Sequence, residues 1–476
     1  MAARGVNLAT EAGIEVGSFR DPDSRVLVTA DGVFRVLSDD GLAEWEALVA
    51  TPLWRELQED GSVVATERVD LDALPSGLAT GAAAALRHAR VRFVSYPYEW
   101  TFSMLQDAAL AHLRLNRRAL DADLTLKDAS SYNVQWLGSR PVFVDVGSFE
   151  RLREGEPWAG YRQFCMLFLY PLLLQAHKDL PFHALLRGSL EGIPPHDARA
   201  VFSTSRDRLR KGVLANVVLH ARLEDRYADV SGGEVKRQMR GAGFGKALLD
   251  ANLRKLEKLV GGLRWRAGET AWTGYGEHNT YDDASAARKA EFVREAAARR
   301  TGGLTWDVGC NDGTYARIAA ESADYVVALD ADHATVDALY RALRDEGRPD
   351  ILPLVVDVTD PSPGLGWRGL ERAPLERRGT PDLTLCLALV HHVTITGNVP
   401  VREFVGWLAS LDSALVIEFP DRSDPMVQKL LSGKPDRANP DYDKAGFEAA
   451  LGERFQVDRM QPVSETRTLY EARPRA

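Results

Sequence analysis

Cysteine is scarce in this chain: three among 476 residues, Cys165, Cys310 and Cys386, far apart. That excludes a disulfide framework, and the spacing has no zinc-ligand pattern, so no metal site is expected. Long apolar runs are also lacking. The longest, Phe164 to Leu174, has eleven residues and is interrupted by Pro171. A membrane span needs roughly 18 or more, so this run predicts a buried helix and no membrane partner. The first fifteen residues contain no apolar stretch of the export-signal kind. With so few cysteines, a cytoplasmic location is expected. Excess positive charge is missing as well. A net charge of −9 argues against a broad nucleic-acid surface and toward a small-molecule partner. With 45% hydrophobic and 27% charged residues, the composition is that of a folded protein, which excludes disordered and fibrous classes. At roughly 150 residues per domain, the length predicts two to four domains. Nothing here sets the oligomeric state.

The patterning divides the chain unequally. Residues 1–265 predict an α+β, largely helical accessory domain. Ser24 to Ala30 and Gly32 to Leu37 flank Asp31-Gly32 and predict a hairpin. A helix is expected over Gly41 to Glu59, a strand over Val91 to Ser95 and a helix over Phe102 to Leu120. Two strands follow, Val134 to Leu137 and Val142 to Val146, and then a mostly helical stretch to residue 265. Residues 266–300 form a connector and lead-in helix carrying Tyr275, Asn279, Tyr281 and Lys289. From residue 301 to 476, apolar runs alternate with helical segments. That predicts an α/β, Rossmann-like, mainly parallel sheet. The last two runs lie close together, so an antiparallel strand should end it.

The densest chemical pattern is Trp306-Asp-Val-Gly-Cys-Asn-Asp-Gly-Thr-Tyr315, which follows one predicted strand and opens a helix. Glycines there permit a sharp turn and close approach of a ligand to the backbone. A second strand ends at Asp330, 23 residues after Asp307, and a third ends at Asp357. A carboxylate after the second strand can accept hydrogen bonds from ribose hydroxyls. These residues resemble class I methyltransferases that use S-adenosylmethionine. The resemblance implies that Asp307, Gly309, Asn311 and Gly313 cradle the methionine half of that cofactor. It places Asp330 and Ala331 at the ribose and Asp357 and Val358 near the adenine, with Tyr281 as a lid contact. The chain departs from the family in having Asn311 where many members have glycine; asparagine tolerates left-handed backbone angles. A nicotinamide-binding domain is the rival reading. It would need a third glycine in register and no carboxylate beside a pyrophosphate. A non-binding α/β domain is the other.

The fourth strand of this fold runs into His391-His392, and the fifth carries Glu418. Ligands of open α/β sheets sit outside the carboxyl ends of strands. His391, His392 and Glu418 are therefore the candidate catalytic residues. A histidine could take a proton from the acceptor, and Glu418 could orient the acceptor or pair with a histidine. Each also has a bland alternative: a strand-end cap for the histidine and a strand-end salt bridge for Glu418. Asp424-Pro425 predicts a helix cap followed by the first helical residue. Arg467 and Tyr470 are expected to be structural.

Upstream, Lys127-Asp128, Asn133 and Asp145-Val-Gly147 follow a helix, with a two-strand turn between Asn133 and Asp145. They resemble the catalytic and metal loops of the protein-kinase and aminoglycoside-phosphotransferase fold. The resemblance implies phosphotransfer by Asp128, Asn133 and Asp145 as an alternative function. It departs from that fold in lacking a Gly-rich loop and a phosphate-binding lysine; the nearest base is Arg35. A domain that recruits the substrate is a further alternative. Finally, Lys127-Asp-Ala-Ser-Ser-Tyr-Asn-Val, Pro141-Val-Phe-Val-Asp-Val-Gly-Ser-Phe-Glu150, Trp158-Ala-Gly-Tyr-Arg-Gln163 and Val390-His-His are together similar to bacterial methyltransferases related to the nodulation protein NoeA. That similarity spans nearly the whole chain. It implies methyl transfer to an oxygen or nitrogen of a small molecule, sugar or secondary metabolite.

Overall fold

The computed structural model describes residues 17–29, 31–74, 79–227, 245–266, 268, 283–432, 434–435, 439 and 441–475. The chain divides into two compact units. The first is Met1–Trp136, Pro141–Ala267 and Gly364–Ala373; the second is Leu137–Arg140, Gly268–Pro363 and Pro374–Ala476.

In the first unit, β1 (Ser24–Val28), β2 (Val33–Leu37), β3 (Thr66–Val69) and β4 (Ala84–His88) form an antiparallel sheet in the order β1-β2-β4-β3. The predicted hairpin is present, with Val28 opposite Val33. Leu27, Phe34, Val36 and Ala85 pack with Leu74 on one face of the sheet. The single helix expected over Gly41 to Glu59 is two helices, Asp39–Val49 and Pro52–Glu59. Pro52 has no N–H and its ring would clash with the carbonyl four residues back, so it starts a new helix instead of continuing the old one. The strand expected over Val91 to Ser95 is absent. There the Ser95 N–H and C=O both bond the Gln135 side chain, and Pro97 opens a 3-10 turn.

A long helix, Phe102–Asp121, is capped by Thr101, whose hydroxyl accepts from the Met104 N–H. After it come β5 (Leu124–Leu126), β6 (Val134–Leu137), β7 (Arg140–Phe143) and β8 (Phe149–Arg151), paired as β5 with β8 and β6 with β7. The apolar run from Phe164 to Leu174 is buried throughout, in a helical stretch whose centre is a π-turn, Cys165–Leu169. No helix among the described residues is long and apolar enough to cross a membrane.

The second unit opens with a helix, Asp283–Ala298. Its sheet comprises β9 (Leu304–Val308), β10 (Tyr325–Asp330), β11 (Ile351–Val355), β12 (Leu383–Cys386), β13 (Ala414–Pro420), β14 (Phe455–Pro462) and β15 (Arg467–Pro474). The order is β11-β10-β9-β12-β13-β15-β14. The first five strands are parallel, and β15 runs antiparallel to both neighbours. The parallel strands are covered on both faces, which explains their nearly continuous apolar sequences. The last strand in sequence is not the edge of the sheet. β15 is almost wholly buried between β13 and β14, while β14 alternates toward solvent as an edge strand does. The chain moves from β9 to one side through β10 and β11, then returns to β12 on the other. That reversal falls between β9 and β12, and it is at the carboxyl ends of strands at such a switch point that open α/β sheets bind ligands.

Candidate active site

The loop after β9 is built from residues that tolerate left-handed angles. Gly309, Asn311 and Gly313 have φ of +81°, +48° and +79°. The Gly309 and Cys310 N–H groups both donate to the Leu329 carbonyl, at 2.8 and 3.0 Å, which ties the loop to β10. A Cβ at Gly313 would lie 2.6 Å from Leu339. The Leu339 side-chain tip would have to give way, and the left-handed backbone angle favours glycine there in any case.

Asp330, at the end of β10, accepts from the Asn311 N–H and the Asp332 N–H, each at 2.9 Å. Burial raises its carboxyl above the usual range. Asp332 caps the next helix, accepting from Ala334 and Thr335. Asp357 is exposed beyond β11, and its carboxylate accepts from the Thr359 N–H and hydroxyl. Asp307, Gly309, Asn311, Gly313, Asp330, Ala331, Asp357 and Val358 thus gather at the carboxyl ends of three adjacent strands. Tyr281, with Tyr275 and Asn279, lies outside the described residues.

Asp307 is the most unusual carboxyl. It is fully buried, and its Oδ2 has no hydrogen-bond partner. Burial pushes its pKa up to about 7; the Lys289 ammonium opposes this, while Asp330 and Asp312 add to it.

Beyond β12, Ala388 has φ +51°, a strained angle for a residue with a Cβ. A π-turn, His392–Thr396, follows. Strain and π-turns both concentrate at functional sites. The His391 and His392 rings lie 4.0 Å apart. Neither nitrogen of His391 has a hydrogen-bond partner. Burial, with help from His392, Arg467 and Lys289, holds His391 well below its ordinary pKa. Burial and Arg467 hold His392 at about 4. Both rings are thereby held toward the neutral form, in which a ring nitrogen can accept a hydrogen bond or a proton.

Glu418 makes the strand-end salt bridge that was its bland alternative. Oε2 lies 2.6 Å from Lys289 Nζ, and Oε1 lies 3.5 Å from Arg467 Nη1. Arg467 in turn grips Asp424 with two nitrogens, at 2.7 and 3.1 Å. Asp424 is the predicted cap, accepting from the Met426 N–H. The four side chains, Lys289, Glu418, Arg467 and Asp424, are each 4% exposed or less. Arg467 therefore belongs to a buried ionic array, and sequence reasoning missed the array. One signal was available. Ser285, Lys289, Phe292, Val293 and Ala296 form the buried stripe of the lead-in helix, so a lysine stands in register with apolar neighbours.

In the first unit, Asn133 and Asp145 are brought together. Asn133 Nδ2 is 3.4 Å from Asp145 Oδ2, which also accepts from the Ser148 hydroxyl at 2.7 Å. Asp145 Oδ1 is 2.9 Å from Nη1 of buried Arg35. Asp128 is raised by burial and by Asp145 nearby.

No family model matches this chain. It is 34% identical over 471 residues to nodulation protein NoeA of Rhizobium meliloti (strain 1021), covering 98% of this chain and 97% of the relative. The chain belongs to the NoeA family. Because that match is nearly end to end, both units are part of the family's architecture. Among solved structures, it is similar to a SAM-dependent methyltransferase from Aquifex aeolicus, at 16% identity over 43% of this chain and 98% of that one, with a TM-score of 0.30. It is also similar to the N-methyltransferase NodS from Bradyrhizobium japonicum WM9, at 11% identity over 40% and 98%, with a TM-score of 0.30.

Proposed function

We propose that the second unit binds S-adenosylmethionine and transfers its methyl group to an oxygen or nitrogen of a small molecule, sugar or secondary metabolite. The observation that carries this reading is the loop at the switch point. Three left-handed residues there sit between a buried carboxyl with an orphan oxygen, Asp307, and a second carboxyl on the neighbouring strand, Asp330. A cationic, phosphate-free ligand suits two carboxylates; a pyrophosphate would be repelled by them.

The cofactor supplies a methyl group on a positive sulfur, already a good leaving group. The chain's own residues then bind and align. Asp307, with Gly309, Asn311 and Gly313, would hold the amino-acid end. Asp330 and Ala331 would take the ribose, and Asp357 and Val358 the base. Alignment alone can supply much of the barrier reduction. Neutral His391 and His392 offer hydrogen bonds that orient the acceptor atom. Glu418, held by two cations, acts through them.

Asp330→Ala is expected to weaken cofactor binding by about 100-fold, the equivalent of two hydrogen bonds to a charged group, as read by isothermal titration. Absence of binding to the wild-type protein would overturn the reading.

Phosphotransfer in the first unit has one observation in its favour, the approach of Asn133 to Asp145 beyond a helix and strand pair. Against it, the Arg35 guanidinium is already on Asp145 Oδ1, where a divalent cation would compete. That reading predicts magnesium-dependent ATP binding lost in Asp145→Ala. Without such binding in the full-length protein, recruitment of the acceptor is the role left to the first unit.

A further inference from the structure

The segment that carries the two histidines ends on carbonyls with no donors of their own. Its π-turn, His392–Thr396, closes with the Gly397 N–H on the His392 carbonyl at 3.0 Å. Asn398 then takes a left-handed angle, φ +53°, and Pro400 follows. A helix end leaves its last carbonyls without intrahelical donors. Here the next donors are lost as well: Pro400 has no N–H, and the Val399 N–H goes to the Val393 carbonyl at 3.2 Å. The carbonyls of Thr394 and Ile395 are met by side chains instead. Asn439 Nδ2 donates to the Thr394 carbonyl at 2.9 Å. Lys434 Nζ donates to the Ile395 carbonyl and, at 2.9 Å, to Asn398 Oδ1. A lysine there also meets the negative end of the helix dipole.

Both ends of the segment are seated on the ligand-side loops of the second unit. A Cβ at Gly309 would lie 3.3 Å from the Leu389 side chain, so the segment starts against the glycine loop after β9. The Leu389 carbonyl accepts from the His392 and Val393 N–H groups, at 2.9 and 3.1 Å. At the far end, a Cβ at Gly397 would lie 2.7 Å from Thr359 Cγ2. Thr359 is the residue whose N–H and hydroxyl both bond Asp357. Between these two ends stand the histidines. Neither nitrogen of buried His391 has a hydrogen-bond partner among the described residues, so the backbone of this segment sets where that ring points.

We propose that Lys434 and Asn439 are positioning residues for the acceptor: they hold the π-turn at its open end and so keep His391 and His392 set beside the glycine loop. This rests on the methyltransferase reading above, which puts the acceptor at the histidines. Without the two side chains the turn frays back toward His392, whose carbonyl makes the bond that closes it. The cofactor-holding residues lie on other loops and are left in place.

The test compares the full-length wild type with two variants, Lys434→Met and Asn439→Asp. The second is isosteric and replaces the amide donor with an acceptor. Binding of S-adenosylhomocysteine is read by isothermal titration. Turnover is read as transfer of a labelled methyl group from S-adenosylmethionine to the small-molecule extract of the cells that make the protein, at varied cofactor concentration. Each variant should lose about 10- to 100-fold in kcat, the cost of misplacing a group by roughly an ångström. The KM for S-adenosylmethionine and the affinity for S-adenosylhomocysteine should stay within about twofold of wild type. Lys434→Arg, which keeps the charge and the N–H donors, should recover most of the rate. Unchanged turnover in both variants would overturn the inference. A loss of cofactor affinity equal to the loss of rate would overturn it too, since that is what a merely structural contact gives. Absence of S-adenosylhomocysteine binding by wild type would instead defeat the cofactor reading.

Discussion

Asp307→Asn should stabilise the ligand-free second unit at pH 8 and, in the same molecule, weaken cofactor binding by roughly 10- to 100-fold. The two effects have one cause. An acid whose pKa is raised from the ordinary aspartate value to about 7 in the fold binds a proton on folding between those two values. Stability therefore falls as pH rises from about 4 to 7 and stays low above that. A rise of about three units corresponds to about 4 kcal/mol, full at pH 8 and absent at pH 4. Asparagine does not ionise and escapes that penalty. Thermal unfolding of wild type and variant at pH 5 and pH 8 isolates the effect, because any packing cost of asparagine is common to both. A stability difference independent of pH would show that Asp307 is not a strained, functional carboxyl.

Glu418→Ala should destabilise the second unit by about 3–5 kcal/mol, the usual result of removing one member of a buried ion pair. The loss comes mostly from leaving Lys289 charged and desolvated, since Arg467 keeps its two bonds to Asp424. The double variant Lys289→Met with Glu418→Gln should recover most of this, because neither charge is then left alone. Denaturant unfolding measures both. A loss below about 1 kcal/mol for Glu418→Ala would be that of a solvent-screened pair and would contradict the burial of all four side chains.

Much of the sheet was legible because its strands are buried on both faces and interrupted by turn residues. The second of these strands ends at Asp330 as predicted, and the third at Val355, two residues before the predicted Asp357. Asn311 was legible as a left-handed position, and Asp424-Pro425 as a cap followed by a first helical residue. Elements whose character depends on neighbours were less so. β3 and β4 are short, and their identity comes from pairing with β2 and each other. The apolar run at Val91 to Ser95 looked like a strand because composition does not reveal that the Gln135 side chain takes the Ser95 backbone groups.

By itself the sequence determined the alternation of strands and helices, the glycine-rich loop and the carboxylates at strand ends. Those features are local, set by backbone angles and by apolar periodicity along one segment. Tertiary structure decided which charges meet. Lys289, Glu418 and Arg467 are far apart in the chain, and they are neighbours only because the lead-in helix packs on the sheet and β15 inserts beside β13. That burial decided the ionisation of Asp307, His391 and His392 as well, since desolvation belongs to the folded surroundings of a side chain and not to its place in the sequence.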